Sequence, residues 1–154
     1  MRNIASPVYG TQQATVGNTS SSRRDLALGA ATERLAEIES LGPDWDPYGS
    51  EAPSAIAVNL ARTLLQYAGA GELGKRLGEA LLPLHIAPIA DGGVQLEWST
   101  SIADLEVYVS PAGTFSMLII NRQDQTRRSD ERDNLTLIEV LAELDRAFET
   151  PVRA

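Results

Sequence analysis

Two glutamates on neighbouring predicted strands are the residues of this 154-residue chain best suited to chemistry. Glu97 lies in residues 94–98 and Glu106 in residues 105–109, two runs in which aliphatic and polar residues alternate. A period of two predicts strands with one buried and one solvated face, and a connection this short permits only antiparallel neighbours. We therefore expect both glutamates on the solvated face of one sheet.

The expected register brings these side chains together. The short loop between the strands favours a pairing of Trp98 with Leu105. Glu97 then lies opposite Glu106, with Tyr108 two residues further along the same face. Opposed like charges repel each other, so a cation, an arginine or a shared proton is expected to compensate. Such a pair could bind a hard metal ion or act as general acid and base, whereas the structural alternative is a solvated or helix-covered face.

His85, the only histidine, opens the first predicted strand. A nucleophilic triad would have to use this imidazole, and the sequence has no Gly-x-Ser-x-Gly turn to supply the serine. The lack of cysteine excludes disulfides, thiolate catalysis and metal sites built on sulfur. The sequence therefore predicts no catalytic residue, no metal and no cofactor, and favours a non-enzyme over an enzyme.

A loop between two predicted helices carries one of the two tryptophans. Large aromatic residues in a turn-rich loop need a core, a pocket or a partner. One interpretation makes Trp45 and Tyr48 anchors for a partner, with Asp46 on the same binding surface. The other folds both rings onto the core while the aspartates bond to the loop's own amides. A loop that exposes only Tyr48 would satisfy both interpretations.

The periodicity predicts an α+β domain with N-terminal helices, a four-stranded antiparallel meander and a C-terminal helix packed on the sheet. Residues 1–23 carry few apolar side chains and are expected to form a disordered tail, so the single domain covers residues 24–154. Helices are expected over residues 24–40, between Pro53 and Gly69, and over 73–82 and 135–150. Strands are expected over residues 84–89, 94–98, 105–109 and 115–120. Residues 121–134 are interpreted as a charged, mobile linker.

Charge and hydropathy limit the classes of partner. The net charge is −8 and no segment forms a basic stripe, so direct nucleic-acid binding is not expected. No apolar run approaches the roughly 20 residues that span a bilayer, and the N-terminus lacks the apolar segment of a signal peptide. We therefore expect a cytoplasmic protein without membrane association. Its expected partner is another protein or a second copy of the chain, and the acidity favours a basic partner.

Two segments together resemble a family of small, uncharacterised bacterial proteins. The run Trp45-Asp46-Pro47-Tyr48-Gly49-Ser50 is similar to the family's Trp-Asp-Gly-Tyr-Gly-Ala loop, and residues 91–98 match its Asp-Gly-Gly followed by Leu-Glu-Trp. The resemblance covers about residues 35–120, with proline and serine here where the family has glycine and alanine. It implies a bacterial origin and two helices joined by this loop ahead of a strand hairpin, and it implies no activity.

Together these features favour a non-catalytic bacterial interaction module. It would be an antitoxin, an immunity protein or an accessory subunit, encoded by a bacterium or its mobile elements, that binds a protein partner. The predicted binding residues are Trp45, Asp46, Tyr48, Glu97, Glu106 and Tyr108. The alternative is a small-ligand- or metal-binding enzyme that uses the polar sheet face, with His85 as a further group.

Overall fold

A computed structural model describes residues 18–70, 82, 83, 85–123, 126 and 129–148. These residues form three helices and one five-stranded sheet. In chain order the elements are α1 Asn18–Glu39, α2 Ala55–Ala70, β1 His85–Pro88, β2 Val94–Ser99, β3 Ala103–Val109, β4 Phe115–Asn121, β5 Ser129–Leu135 and α3 Leu137–Phe148. The predicted α+β class and the C-terminal helix are confirmed. Residues 1–17 and most of the helix expected over residues 73–82 lie outside the described residues.

The sheet is an antiparallel meander in which each strand pairs with its neighbours in sequence. All four predicted strands are present. The predicted register is also correct, because Trp98 pairs with Leu105 and Glu97 pairs with Glu106. A hairpin turn of fixed length and a strict alternation of aliphatic residues leave little freedom for any other pairing.

The prediction of a mobile linker over residues 121–134 is wrong for its second half. Residues Ser129–Leu135 form β5, which pairs with β4 along the edge of the sheet. The run carries charged residues on both faces, so it has no hydrophobic alternation that would signal a strand. Charged side chains are tolerated, and even favoured, on an edge strand because they discourage pairing with another chain. Arg127 and Arg128 lie outside the described residues.

Helix α1 begins at Asn18, before the predicted start at Arg24. Residues 18–23, assigned to the tail from composition, are therefore helical. Once a helix is nucleated, each further residue adds a hydrogen bond without needing an apolar side chain. The hydrophobic periodicity of this segment begins only at Leu28, so it predicted the start of the helix too late.

The helices and one face of the sheet enclose a single core. Helix α2 packs on β2 and β3, α3 packs on β4, and α1 packs on α2 and β1. Alternate residues of β2 and β3 are at most 2% exposed: Val94, Leu96, Trp98, Leu105, Val107 and Val109. Burying each such side chain contributes about 1.5–3 kcal/mol. The opposite face of the sheet carries the alternating polar residues, and no described helix covers it.

Helix α3 is fixed at its start and at its middle. Thr136 donates its backbone N–H to the Glu139 carboxylate at 2.6 Å, and the Glu139 N–H donates to the Thr136 hydroxyl at 3.3 Å, which forms a capping box. One turn later, the buried Glu143 pairs with Arg132 of β5 and with Arg146 of its own helix. We call these three residues the Glu143 latch, because they tie α3 to the edge strand.

Candidate functional site

The loop between α1 and α2 is organised by one carboxylate. Asp46 accepts hydrogen bonds from the backbone N–H of Tyr48 at 3.0 Å and of Ser50 at 3.2 Å, and from the Ser50 hydroxyl at 2.6 Å. The Ser50 hydroxyl, together with these amides, lowers the pKa of Asp46 from its usual value. Positive φ angles occur at Asp44 (57°) and Gly49 (78°), so Pro47 does not occupy a position that requires glycine.

The two aromatic side chains of this loop have different surroundings. Trp45 is half-buried, and its indole Nε1 donates to the backbone carbonyl of Glu51 at 3.0 Å. Tyr48 is 89% exposed. The loop therefore uses Trp45 and Asp46 to hold its own shape and presents Tyr48 to solvent. That Trp45, Asp46 or Tyr48 contacts a partner stays a prediction.

The loop docks on the turn between β1 and β2. The Glu51 N–H donates to the Ala90 carbonyl and the Ser54 N–H donates to the Gly92 carbonyl, each at 2.8 Å. A Cβ added at Gly92, where φ is 91°, would lie 2.9 Å from the carbonyl oxygen of Ala52. The two segments that stand out in the sequence thus adjoin each other at one end of the sheet, although about forty residues of the chain lie between them.

Tyr108 belongs to the same end of the sheet. Its ring lies against Gly93, where an added Cβ would be 2.6 Å from Tyr108 Cε2. Its hydroxyl donates to the carboxylate of Asp91, which also accepts from the Gly93 N–H at 2.9 Å. Burial of the phenol, reinforced by the hydrogen bond to Asp91 and by its charge, raises the pKa of Tyr108 to about 12. The Asp-Gly-Gly turn therefore fixes the position of the tyrosine ring.

The solvent-side face of the sheet carries a row of carboxylates that we call the acidic face. Its members are Glu97, Glu106, Glu131 and Asp133. Within the described residues, none of these four forms an ion pair with lysine or arginine. The Gln95 side-chain amide donates to Glu97 at 2.8 Å. This hydrogen bond relieves only part of the repulsion between Glu97 and Glu106.

The arginines that could have neutralised this face pair elsewhere. Arg62 of α2 pairs with Glu39 at 3.0 Å, and Arg146 of α3 belongs to the Glu143 latch. At the end of the sheet away from Tyr108, Arg122 pairs with Asp104 at 2.7 Å. Neither Arg62 nor Arg146 therefore neutralises this face, and the choice between a solvated and a helix-covered face stays a prediction.

A shallow hollow of about 150 Å³ lies on this face above β4, and we call it the sheet hollow. Glu106 of β3 pairs with Leu118 of β4, which pairs with Glu131 of β5, so the aliphatic residue separates two carboxylates. The other side chains that border the hollow include Gln95, Tyr108, Ser116 and Asp133. Asp133 follows Glu131 by two residues and so lies on the same face, next to a register shift between β4 and β5 beside Asn134, whose φ is 55°.

His85 lies in the same row of the sheet as the two predicted glutamates. It pairs in register with Glu97, but it borders a separate hollow of about 500 Å³ between α1 and β1, where Arg34 Nε donates to the Ile86 carbonyl at 3.1 Å. Among the described residues, no three His, Asp or Glu side chains are grouped so that they could hold a metal ion. His85, Glu97 and Glu106 thus lie in one row across β1, β2 and β3, and His85 borders a different hollow from the one that Glu106 borders.

No protein-family model, no protein of described function and no solved structure matches this chain. None of the described helices combines the length and the apolar character needed to cross a membrane. The resemblance to the small bacterial family stays a proposal. Residues 51–54, directly after the first of its two segments, contact the Asp-Gly-Gly turn of the second. Function must therefore be argued from the surfaces themselves.

Proposed function

We propose that this protein is a non-catalytic interaction module whose acidic face binds a basic partner protein. The observation that carries the proposal is that the described helices pack on one face of the sheet and leave the other face open. That open face displays Glu97, Glu106, Glu131 and Asp133 without a basic partner among the described residues. A fold that stabilised itself alone would gain nothing from opposed carboxylates.

The charge distribution favours a different protein over a second copy of this chain as the partner. Two acidic faces brought together would place like charges in contact, which costs several kcal/mol in an interface. A basic surface would instead relieve the repulsion already present between Glu97 and Glu106. It would also be steered to this face during encounter, with a rate that falls as salt rises. The lysines and arginines of a partner thus supply the compensation that no lysine or arginine among the described residues provides.

We assign two tyrosines near the end of the sheet where the loop docks to the contact with the partner. Tyr108 is held rigidly by Gly93 and Asp91. Tyr48 is exposed on a loop that Asp46 fixes by three hydrogen bonds. Rigid aromatic side chains lose little conformational entropy on binding and often dominate the energy of an interface. Tyr48 is therefore the loop residue that we assign to the partner, while Trp45 and Asp46 position it.

The biological setting is part of the same proposal. A small acidic domain that covers a basic surface has the chemistry of an antitoxin, an immunity protein or an accessory subunit. A cysteine-free chain suits the reducing cytoplasm, and the family that it resembles is bacterial. The alternative function, an enzyme that binds a small ligand or a metal, draws no support from the sheet hollow. Ligand pockets usually measure about 300–1,000 Å³ and enclose most of the ligand, and this hollow is smaller and open.

The test compares two variants of equal charge change in co-purification from cells of the source bacterium. The face variant is Glu97→Gln with Glu106→Gln. The control variant is Glu33→Gln with Asp145→Asn, which removes two exposed carboxylates from α1 and α3. We expect wild type and control to recover the same basic protein, and the face variant to recover at least about tenfold less of it.

Two further readouts decide the outcome. Recovery by the wild type should fall steeply between low and high salt, because exposed charge pairs are screened. Tyr48→Ala should weaken recovery without changing the unfolding midpoint. An acidic partner, recovery that is insensitive to salt, an equal loss in face and control variants, or no basic protein in any preparation would each contradict the proposal.

A further inference from the structure

The sheet hollow is shaped mainly by strands β3, β4 and β5, with Gln95 of β2 at its border. Strand β4 contributes Ser116 and Leu118, which lie between the longer side chains of β3 and β5. Carboxylates stand on both sides, with Glu106 on β3 and Glu131 and Asp133 on β5. The hollow is therefore a trough with an aliphatic and hydroxyl base between two acidic walls.

One wall of this trough is aromatic and rigid. Tyr108 pairs with Ser116 in register, so its ring stands beside the base of the trough. Gly93 and Asp91 hold the ring in place on its other side, as their contacts with Tyr108 Cε2 and with the Tyr108 hydroxyl show. A fixed aromatic surface beside carboxylates combines cation–π attraction with charge attraction for the same ligand group.

The volume of the sheet hollow and the charge of its lining together indicate which group it can bind. At about 30 Å³ per water molecule, a hollow of about 150 Å³ has room for the end of one long side chain and for little more. We propose that the sheet hollow receives an arginine side chain of the basic partner. The inference rests on the proposed function, since it names the group that the partner would place at the centre of the acidic face.

Arginine fits this trough better than lysine does. Its guanidinium is planar, so it can stack on the Tyr108 ring while its edge donates to carboxylates. Glu106 and Asp133 come from strands on either side of β4, so donors that point in different directions can each find an acceptor. The methylene stem can rest on Leu118. A lysine ammonium is compact and strongly hydrated, and it gains less from a flat ring in an open site.

The experiment uses Nα-acetyl-L-arginine methylamide as the probe, with the citrulline and lysine counterparts as matched controls. Binding is followed by NMR chemical-shift changes of Tyr108, Ser116 and Leu118. We expect weak, saturable shifts centred on these residues for the arginine compound. The lysine compound should bind at least about threefold more weakly, and the neutral citrulline compound should give no saturable shift.

The variant Ser116→Phe distinguishes binding in the sheet hollow from binding to the rest of the acidic face, because phenylalanine fills the hollow without changing any charge. Phenylalanine is well tolerated on a sheet surface, so the variant should fold. It should lose arginine-probe binding while it retains binding of a deca-lysine peptide to the acidic face. Glu131→Gln with Asp133→Asn should weaken the arginine probe by at least about fivefold, and it tests the same site without added bulk.

Three results would overturn the inference. Equal binding of the arginine and citrulline compounds, equal binding of the arginine and lysine compounds, or undiminished arginine binding by Ser116→Phe each removes the hollow as an arginine site. If the deca-lysine peptide still binds and Glu97→Gln weakens it, the proposed function survives that result. If neither the arginine compound nor the deca-lysine peptide binds, both proposals fall.

Discussion

Gly93 and Gly29 have opposite effects on the stability of this protein, and substitution of each by alanine reveals the difference. Gly93 lies under the Tyr108 ring, and a Cβ there would be 2.6 Å from Cε2 and 2.7 Å from the Val109 carbonyl oxygen. Gly29 on α1 has no atom within 4 Å of the equivalent position. Gly93→Ala should lower the free energy of unfolding by about 2–3 kcal/mol through overpacking. Gly29→Ala should raise it by about 0.5–1 kcal/mol, because alanine favours the helix.

Urea denaturation of the two glycine variants measures both effects on the same fold. The variants add the same methyl group, so a difference in sign reflects the tight contacts at Gly93 and the open helical position of Gly29. A Gly93→Ala protein as stable as the wild type would contradict the close approach of the Tyr108 ring. It would also remove the structural reason for the Asp-Gly-Gly turn.

Asp46 gives the loop a dependence on pH. Hydrogen bonds from the Ser50 hydroxyl and from the loop amides lower the pKa of Asp46 in the folded protein below the usual 3.8. The carboxylate therefore stabilises the fold fully above that value, and this contribution is lost as the pH falls through the lower, folded pKa. Asp46→Asn should reduce stability at neutral pH and flatten its fall below about pH 4.

The pH profiles need control variants that isolate the contribution of Asp46, because the other carboxylates of the protein also become protonated at acidic pH. Ser50→Ala removes the largest cause of the shift and should give part of the Asp46→Asn effect. Glu33→Gln removes an exposed carboxylate of α1 and should leave the pH profile of the unfolding midpoint as in the wild type. An Asp46→Asn profile parallel to the wild type below pH 4 would show that Asp46 does not hold the loop.

At the scale of elements, the edge strand β5 depends on the Glu143 latch. Arg132 joins β5 to the buried Glu143 of α3 and also pairs with Asp130 at 3.0 Å, whereas Arg146 reaches Glu143 from one turn along the same helix. Arg132→Ala should therefore speed hydrogen exchange of the amides that pair β4 with β5 and leave β2 and β3 protected. Arg146→Ala should change stability by at most about 0.5 kcal/mol.

The two arginine variants remove the same charge from the same carboxylate, so they serve as each other's control. Equal exchange rates in β5 for both variants would show that the edge strand is held by its pairing to β4 alone. Faster exchange throughout the sheet after Arg132→Ala would instead show that β5 unfolds together with the core.

The elements differ in how far the sequence alone could predict them. The register of β2 with β3 was predictable because burial of one face and a short turn allow a single solution. Strand β5 was not, since its charges suit an edge position and its pairing depends on β4, a partner that local pattern does not reveal. The Asp46 hydrogen bonds follow local turn chemistry. The contact of Tyr108 with Gly93 and Asp91 joins separate segments, so only the fold shows it.

At the scale of the whole molecule, one end of the sheet joins the loop, the turns and the second helix. Ser54 illustrates this, because its N–H donates to Gly92, its hydroxyl donates to Pro111 at 2.9 Å, and the same oxygen accepts the Ala57 N–H of α2 at 3.4 Å. The β1–β2 turn, the β3–β4 turn and the start of α2 therefore meet at one residue. This arrangement predicts that the docked loop and the core unfold as one cooperative unit.

The two tryptophans test that cooperativity from separate positions. Trp98 is 2% exposed in the core, and Trp45 bonds to Glu51 in the docked loop. In Trp98→Phe the fluorescence reports the loop, and in Trp45→Phe it reports the core. Within each variant, we expect fluorescence and far-UV circular dichroism to give the same denaturant midpoint, as a two-state transition requires. A Trp45 signal that changes at lower denaturant than the helical signal of the same protein would mean that the loop undocks first. Tyr48 would then sit on a mobile segment, and its assignment as a rigid anchor for the partner would be wrong.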